Sequence, residues 1–208
     1  METHVKSEIV RIGKLLYEKK LVNAYEGNIS VKEGGKVYCT PSGVCVGFID
    51  EGMIVAVNES GATIEGSLAP TSELKLHLEC YRQRPDINAV VHTHSPYATA
   101  YALANIPITS KAYPEMILVF GQIPVVSYGA PSTVEVCEGL GAHIKKSDVF
   151  LLSRHGVLAI GSNLCEAFCK VEAAESMAKT LTITRMLGGE APLSESQLGQ
   201  LCRMRKKQ

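Results

Sequence analysis

The chain lacks the features that would direct it to a membrane or to nucleic acid. No apolar run among its 208 residues approaches the length needed to cross a bilayer, and the N-terminal segment has no apolar centre of the kind found in signal peptides. Its 21 Lys and Arg residues balance 21 Asp and Glu residues, so the basic surface that polyanions require is not expected. The basic run at 203–207 is interpreted as a solvated helix end. We therefore expect a cytoplasmic protein that binds neither nucleic acid nor membranes.

Paired cysteines are also missing. The seven cysteines are scattered without a Cys-x-x-Cys pair, so buried thiols in a reducing compartment explain them better than disulfides do. Cys165 and Cys169 share one face of a predicted helix. We expect two core thiols there, because no second pair completes a metal-ligand set.

Helical and strand patterns alternate along the whole chain, without a linker or a repeat. Apolar spacing predicts the helices, helped by a capping hydroxyl at Ser95, capping boxes at Ser132-x-x-Glu135 and Asn163-x-x-Glu166, and a start signal at Ser194-x-x-Gln197. β-Branched runs between turn residues predict the strands. The helices are expected at 7–20, 74–83, 95–103, 132–144, 163–188 and from 194, and the strands at 29–32, 36–40, 53–58, 87–93, 124–126, 149–152 and 157–160. We expect one domain over 1–208, with helices on both faces of a central sheet. The strand order does not follow from these patterns.

Two histidines stand one residue apart at the end of an apolar strand, in Val90-Val91-His92-Thr93-His94. Strand side chains alternate between faces, so His92 and His94 project from the same face and can reach one metal ion. A third, His155, follows another apolar strand and precedes a glycine. Three protein ligands with one open position are the pattern of catalytic zinc. The alternatives are a surface pair and a hydrogen-bonded turn histidine.

Glu73 opens the predicted helix 74–83. The helix dipole favours a carboxylate at this position, and beside a metal it can serve as ligand, general base or both in turn. Alone, it is also an ordinary first-turn acid. His77 lies one helical turn further on and is interpreted as a structural or supporting residue. His4 and His143 are expected at the surface.

Three separate segments place hydroxyls and backbone amides at turns or helix starts. They are Gly27-Asn28-Ile29-Ser30, Thr40-Pro41-Ser42-Gly43 and Thr71-Ser72-Glu73. N–H groups at such positions bind phosphate well, although turn and cap chemistry also explains each segment alone. Together they predict an anion pocket made of amides and hydroxyls rather than of Lys or Arg.

These segments, with Val91-His92-Thr93-His94 and His155-Gly156, occur in the order and spacing of the class II aldolase and adducin family, which the chain resembles from its first predicted helix to its last. The resemblance is closest to the branch of fuculose-phosphate aldolases. It implies an α/β fold, a three-layer α/β/α domain with a central, largely antiparallel sheet. It also implies a homotetramer with active sites at subunit interfaces.

The resemblance also implies the site residues. One Zn²⁺ per subunit is expected on His92, His94 and His155, with Glu73 near the metal as a ligand and catalytic acid/base. The phosphate of a sugar phosphate is expected against the following residues: Gly27, Asn28, Ser42, Gly43, Thr71 and Ser72.

The reaction implied is that of a lyase, which reversibly cleaves a ketose 1-phosphate to dihydroxyacetone phosphate and a short aldehyde. Related epimerases carry Asp where this chain has Glu73, which favours the aldolase, and adducin-type members lack the metal ligands present here. The alternatives are another metal–enolate reaction (epimerisation, decarboxylation or dehydration) and a non-catalytic zinc-binding assembly protein.

Two tyrosines are candidates for the proton donor that the family takes from a neighbouring subunit. Tyr113 falls near the family's position, although its neighbours 111–112 and 114–115 differ from the family pattern. Tyr128 is the other tyrosine of this region. The segment 203–208 lacks the family's C-terminal tyrosine, so the sequence does not specify the aldehyde.

Overall fold

The computed structural model describes residues 2–130, 133 and 135–205 of the chain. The helices are α1 Glu2–Glu18, α2 Leu74–Gln83, α3 Pro96–Ala104, α4 Pro114–Val119, α5 Glu135–Leu140, α6 Leu164–Met186 and α7 Glu195–Arg205, with a short 3₁₀ turn at Glu51–Met53. The strands are β1 Asn28–Glu33, β2 Lys36–Cys39, β3 Val55–Val57, β4 Thr63–Glu65, β5 Ala89–Thr93, β6 Val125–Val126, β7 Val149–Leu152 and β8 Gly156–Gly161.

The strands form one sheet in the order β4-β3-β2-β1-β5-β8-β7-β6. Neighbouring strands are antiparallel except β6 and β7, which are parallel. The expected largely antiparallel sheet is thereby confirmed. This order puts β1, β5 and β8 side by side, so three segments that are far apart in sequence meet at one end of the sheet.

Helices cover both faces of the sheet. One core is formed with α1, α3, α4 and α6 and takes Ala89, Val91, Val157 and Ala159 from the sheet. The other is formed with α2 and α5 and takes residues of opposite parity, such as Val90 and Leu158. This alternation is the two-residue period of a strand buried on both faces, and it confirms the three-layer α/β/α architecture. Across the described ranges, no helix combines the length and apolar composition needed to span a bilayer.

Several local predictions are corrected by the structure. Helix α1 begins at Glu2 rather than at Ser7, because the Ser7 hydroxyl donates within the helix to the carbonyl of His4 instead of capping it. It ends at Glu18 because Lys20 adopts a left-handed φ of 58°. The Ser95 hydroxyl makes no capping bond to α3. Strand β4 and helix α4 were not predicted at all.

The cap predictions of the C-terminal half have mixed outcomes. At α6 the Asn163 side chain accepts from the Glu166 N–H, but the Glu166 carboxylate accepts from Ser162 instead of closing a reciprocal box. At α7 the reciprocal pair of Ser194 and Gln197 is present. The capping box predicted at Ser132 lies outside the described residues.

The two thiols expected in the core, Cys165 and Cys169, are exposed. They follow Leu164 and Phe168 on α6, whose side chains are buried, and one step along a helix rotates a side chain by about 100° away from that face. The prediction of core thiols there is wrong. Cys39, Cys80 and Cys137 are buried as expected, and all seven cysteines are free.

Candidate active site

Three histidines meet at the end of the sheet where β5 finishes and β8 begins. His92 and His94 project from the same face of β5, and His155 lies in the turn that joins β7 to β8. Gly156 makes the approach possible, since an added Cβ would lie 2.8 Å from His94 Cδ2 and 3.1 Å from His92 Cε1. The candidate ligand atoms of the three rings all lie within 4.8 Å of one another.

The hydrogen-bond partners of two of these rings show where their lone pairs point. His92 Nδ1 is 2.9 Å from the carbonyl oxygen of Val157, and His94 Nδ1 is 3.3 Å from Glu26 Oε1. A neutral imidazole has one N–H and one lone pair, so each Nδ1 carries the hydrogen and each Nε2 the lone pair. The two Nε2 atoms nevertheless lie only 2.9 Å apart.

Glu73 adds a carboxylate to these lone pairs. Its Oε2 is 3.2 Å from His92 Nε2, and its Oε1 is 3.1 Å from His155 Nε2. The Glu73 Oε2 electron pairs and the Nε2 lone pairs of His92 and His94 repel one another unless a cation lies between them. Three imidazoles and a carboxylate are a donor set that suits a divalent metal.

Burial argues that this cation is not simply a proton. Desolvation holds the pKa of His92 well below its ordinary value, and His155 and His94 push it in the same direction, against the Val157 carbonyl. Desolvation also lowers the pKa of His155, partly opposed by the Glu73 charge. Neutral rings are the form that binds metal.

The histidines open into a cavity of about 200 Å³. All of the phosphate residues predicted from the sequence lie in its wall: Gly27, Asn28, Ser42, Gly43, Thr71 and Ser72. Within the part of the chain that the structure describes, the lining contains Glu26 and Glu73 but no lysine or arginine. An anion would therefore be held by backbone amides, hydroxyls and whatever cation the histidines bind.

Two loops of the cavity wall are tied to each other. The Thr71 N–H donates to the Thr40 carbonyl at 3.0 Å, and the Ser42 N–H donates to the Ala69 carbonyl at 2.9 Å. The sequence had suggested that both amides are free for a ligand, but these two hydrogen bonds occupy them. Among the described residues, the N–H groups of Gly43 and Ser72 have no internal acceptor, so they remain available.

A chain of buried hydrogen bonds lies behind Asn28. Asn28 Nδ2 is 3.3 Å from Glu73 Oε2, and Asn28 Oδ1 is 2.6 Å from His77 Nε2. His77 Nδ1 is 2.7 Å from Ser30 Oγ, which is 2.8 Å from the Tyr81 hydroxyl. Glu73, His77 and Tyr81 recur every four residues along α2, and Asn28 and Ser30 recur every two along β1. The Ser30 hydroxyl is thus turned away from the predicted pocket.

His77 is fully buried, and desolvation lowers its pKa to about 3, against the Glu73 charge. The ring is therefore neutral near pH 7. The structure supports the interpretation of His77 as a supporting residue. His4 is exposed, as expected, whereas His143 is half-buried.

Glu26 is a charged residue of this cavity that sequence reasoning missed. Its carboxylate lies beside His94 Nδ1 and accepts a hydrogen bond from Asn23 Nδ2. Asn23 is held in turn by the Tyr25 N–H, which donates to Asn23 Oδ1 at 2.9 Å. Neither residue carries a periodic or motif signal, because each looks like an ordinary polar residue of a turn.

Neither candidate tyrosine lines this cavity in the single chain. Tyr113 precedes α4 and packs partly buried against the core. Tyr128 is 55% exposed, and the Arg154 guanidinium lies 5.7 Å from its ring centre. A role in the cavity of a neighbouring subunit stays a prediction for both.

The chain belongs to the class II aldolase and adducin family, because the family model described as "Class II Aldolase and Adducin N-terminal domain" matches residues 7–182. Class II aldolases are metal-dependent, and His92, His94 and His155 form a cluster with the spacing to hold a metal ion. Membership supports an enzyme over an assembly protein.

Three proteins similar to this chain are two aldolases and one decarboxylase. L-fuculose phosphate aldolase of Methanococcus vannielii is 40% identical over 172 residues, which are 83% of this chain and 92% of that protein. A solved structure of L-fuculose 1-phosphate aldolase superposes with a TM-score of 0.88 at 30% identity, covering 98% of this chain and 96% of that one. 3-Oxo-tetronate 4-phosphate decarboxylase of Pectobacterium atrosepticum is 32% identical over 187 residues, which are 88% of this chain and 85% of that protein.

Proposed function

We propose that the protein is a zinc-dependent aldolase that reversibly cleaves a ketose 1-phosphate of the fuculose-phosphate kind to dihydroxyacetone phosphate and a short aldehyde. The observation that carries the proposal is the cation-demanding cluster of His92, His94, His155 and Glu73 in the wall of a cavity lined by free amides and hydroxyls. The similarity to L-fuculose phosphate aldolases supports the same substrate class.

His92, His94 and His155 would hold the zinc, with Glu73 at its side. Bound there, zinc supplies a Lewis acid that polarises the oxygens of the ketose and offsets the charge that develops when the carbon–carbon bond breaks. Glu73 lies beside these ligands and is buried, so it can return a proton to the carbon of dihydroxyacetone phosphate, or remove it in the synthetic direction.

The loops of the cavity would position the substrate. The Gly43 and Ser72 amides and the Asn28 side chain would hold the phosphate, which keeps the reacting carbons near Glu73. In a homotetramer, a tyrosine of a neighbouring subunit, Tyr113 or Tyr128, would move the proton of the substrate hydroxyl. We expect this enzyme in the cytoplasm.

Decarboxylation of a 3-oxo acid phosphate is the second candidate, supported by the 3-oxo-tetronate 4-phosphate decarboxylase relatives. Such a substrate carries a carboxylate in addition to its phosphate. The described lining of the cavity offers no lysine or arginine for this second anion and includes Glu26 and Glu73. This charge balance favours the aldolase.

Product analysis separates the two candidates. Zinc-loaded protein is incubated with dihydroxyacetone phosphate and a panel of short aldehydes, and separately with 3-oxo-tetronate 4-phosphate. We expect a ketose 1-phosphate from the first mixture. Release of carbon dioxide from the second, without product in the first, would replace the proposed reaction by decarboxylation.

A further inference from the structure

The buried hydrogen bonds behind Asn28 form a chain whose direction is set from its cavity end. An ionised Glu73 only accepts hydrogen bonds, so the Asn28 atom that faces it must be Nδ2. Oδ1 then faces inward and requires a donor, which His77 Nε2 supplies at 2.6 Å.

The same reasoning fixes the next bond. A neutral His77 that carries its hydrogen on Nε2 has a lone pair on Nδ1. The Ser30 hydroxyl at 2.7 Å must therefore donate to Nδ1, and its oxygen is left to accept from the Tyr81 hydroxyl at 2.8 Å. Each hydrogen of the chain points from the core towards the cavity.

We propose that His77 and Ser30 are positioning residues that lock the Asn28 side chain with its amide hydrogens towards the cavity and its carbonyl away from it, so that the site accepts a phosphate dianion. This inference rests on the proposed function, because it names how the same pocket recognises its anion. An amide nitrogen has two hydrogens. Glu73 accepts one, and the other is available for a phosphate oxygen.

This row of hydrogen bonds matters because an asparagine side chain has two orientations of nearly equal shape. Turned over, Asn28 would present its carbonyl oxygen to Glu73 and to the phosphate, and both contacts would be repulsive. His77 prevents this. In the Nε2–H tautomer its N–H points at Asn28, and the turned amide would point its own N–H groups back at that donor. The Ser30 hydroxyl satisfies the Nδ1 lone pair of that tautomer and fixes the ring where Nε2 reaches Asn28 Oδ1.

The first test is the tautomer itself. Long-range ¹H–¹⁵N spectra of the folded, zinc-loaded protein distinguish Nε2–H from Nδ1–H imidazoles, and sequence-specific assignment identifies His77 among the six histidines. We expect the pure Nε2–H form. A His77 that carries its hydrogen on Nδ1 would overturn the proposal without any variant being made.

The second test uses Ser30→Ala with Tyr81→Phe as its matched control. Both remove one buried hydroxyl, but only Ser30→Ala removes the bond to His77 Nδ1. In Ser30→Ala the Nδ1 lone pair loses its donor, so we expect a weaker bond from His77 Nε2 to Asn28, seen as a shifted Nε2 resonance, and a dissociation constant for dihydroxyacetone phosphate about tenfold higher, the loss of one hydrogen bond to a charged group. Tyr81→Phe should keep both the Nε2 resonance and the affinity, and Ser30→Thr, which restores a hydroxyl, should recover them.

The outcomes separate this inference from the proposed function. If wild type binds dihydroxyacetone phosphate, and Ser30→Ala binds it equally well while its His77 Nε2 resonance is shifted, the positioning role is wrong and the aldolase proposal stands. Equal loss of affinity in Ser30→Ala and Tyr81→Phe would mean that the hydroxyls act only through the stability of the fold, which also contradicts the proposal. If zinc-loaded wild type does not bind dihydroxyacetone phosphate, the proposed function itself fails.

Discussion

The two ends of the central sheet treat ionisable groups in opposite ways. At the end far from the histidines, Arg84 donates to Asp86 and Asp148, and Lys170 donates to Asp148 and Glu166, at 2.6–2.9 Å. Cations and anions alternate there. At the histidine end, Glu73 Oε2 and the Nε2 lone pair of His92 face each other at 3.2 Å with no cation of the described chain among them.

The charges at the far end of the sheet satisfy each other within the fold, whereas those at the histidine end require a ligand. A cluster whose positive and negative groups satisfy each other leaves nothing to bind, and its removal should change stability. A buried cluster of acceptors is costly until a cation arrives, and its removal should change metal content and catalysis. Changes at the two ends of the sheet should therefore alter different properties, and the largest effect is expected at the histidine end.

The largest effect is expected from His92→Ala combined with His94→Ala. Wild type purified without chelator should contain about one zinc per chain, and the double variant almost none, since two of three histidine ligands are lost. Turnover should fall to background. Metal analysis and the aldol assay measure both quantities.

The matched control removes His4 and His143, two histidines that lie outside the cavity. This pair of changes should leave the zinc content at the wild-type level. Undiminished zinc in the His92→Ala, His94→Ala protein would mean that the ion binds elsewhere, and the contrast between the two ends of the sheet would lose its basis.

Glu73→Gln should lower turnover by roughly two to four orders of magnitude, the usual contribution of a positioned acid or base. Three histidines still hold the zinc, so its content should persist. Proton exchange at the carbon of dihydroxyacetone phosphate in heavy water, with no aldehyde present, is the sharpest measurement. It requires only the metal, the phosphate pocket and the base.

Glu166→Gln is the matched change at the opposite end of the sheet, and it should exchange like wild type. Exchange at the wild-type rate in Glu73→Gln would show that another group moves the proton. If zinc-loaded wild type does not exchange either, cleavage to dihydroxyacetone phosphate is not its reaction.

Local patterns sufficed to predict part of this site. His92 and His94 share a face because the period of a strand is two residues, whatever the sheet around it. Helix α2 was predicted with its observed ends, Leu74 and Gln83, because its apolar periodicity stops at a proline. His155 was proposed from its position after an apolar strand and before a glycine, but its approach to the other two depends on the pairing of β5 with β8, which no local pattern shows.

Other features depend on partners that no local pattern names. Glu26 contacts His94 only because the turn before β1 folds over the end of β5. Ser30 belongs to one of the segments predicted for the pocket, but it lies two residues further along β1 than Asn28 and bonds to His77 instead. Strand β4 and helix α4 are short and were missed, because neither is long enough to show a period.

Ser72→Ala should raise the Michaelis constant for dihydroxyacetone phosphate about tenfold, because the Ser72 hydroxyl at the cavity wall would no longer donate to the phosphate beside the Ser72 amide. Ser72 is exposed, so the free energy of unfolding should change by less than about 0.5 kcal/mol. Steady-state kinetics and denaturant unfolding measure the two effects. Ser60→Ala, in a distant turn, is the control, and equal activity on phosphorylated and unphosphorylated dihydroxyacetone would contradict the phosphate pocket.

The smallest effect is a pH-dependent loss of stability in Glu166→Gln. Hydrogen bonds from Lys170 and Ser162 hold the pKa of Glu166 at about 2, below the ordinary value of about 4.3. A depressed carboxyl pKa stabilises the fold above the unfolded value, and this contribution is lost as the pH falls through the folded value. The side chain is 40% exposed, so solvent screening reduces the effect to about 0.5–1 kcal/mol near pH 7.

Unfolding midpoints of wild type and variant should therefore differ at pH 7 and converge as the pH drops from about 5 towards 2. Glu18→Gln, which removes an exposed carboxylate at the end of α1, should show no such convergence, and a gap between wild type and Glu166→Gln that stays constant with pH would mean that this charge pair does not stabilise the fold.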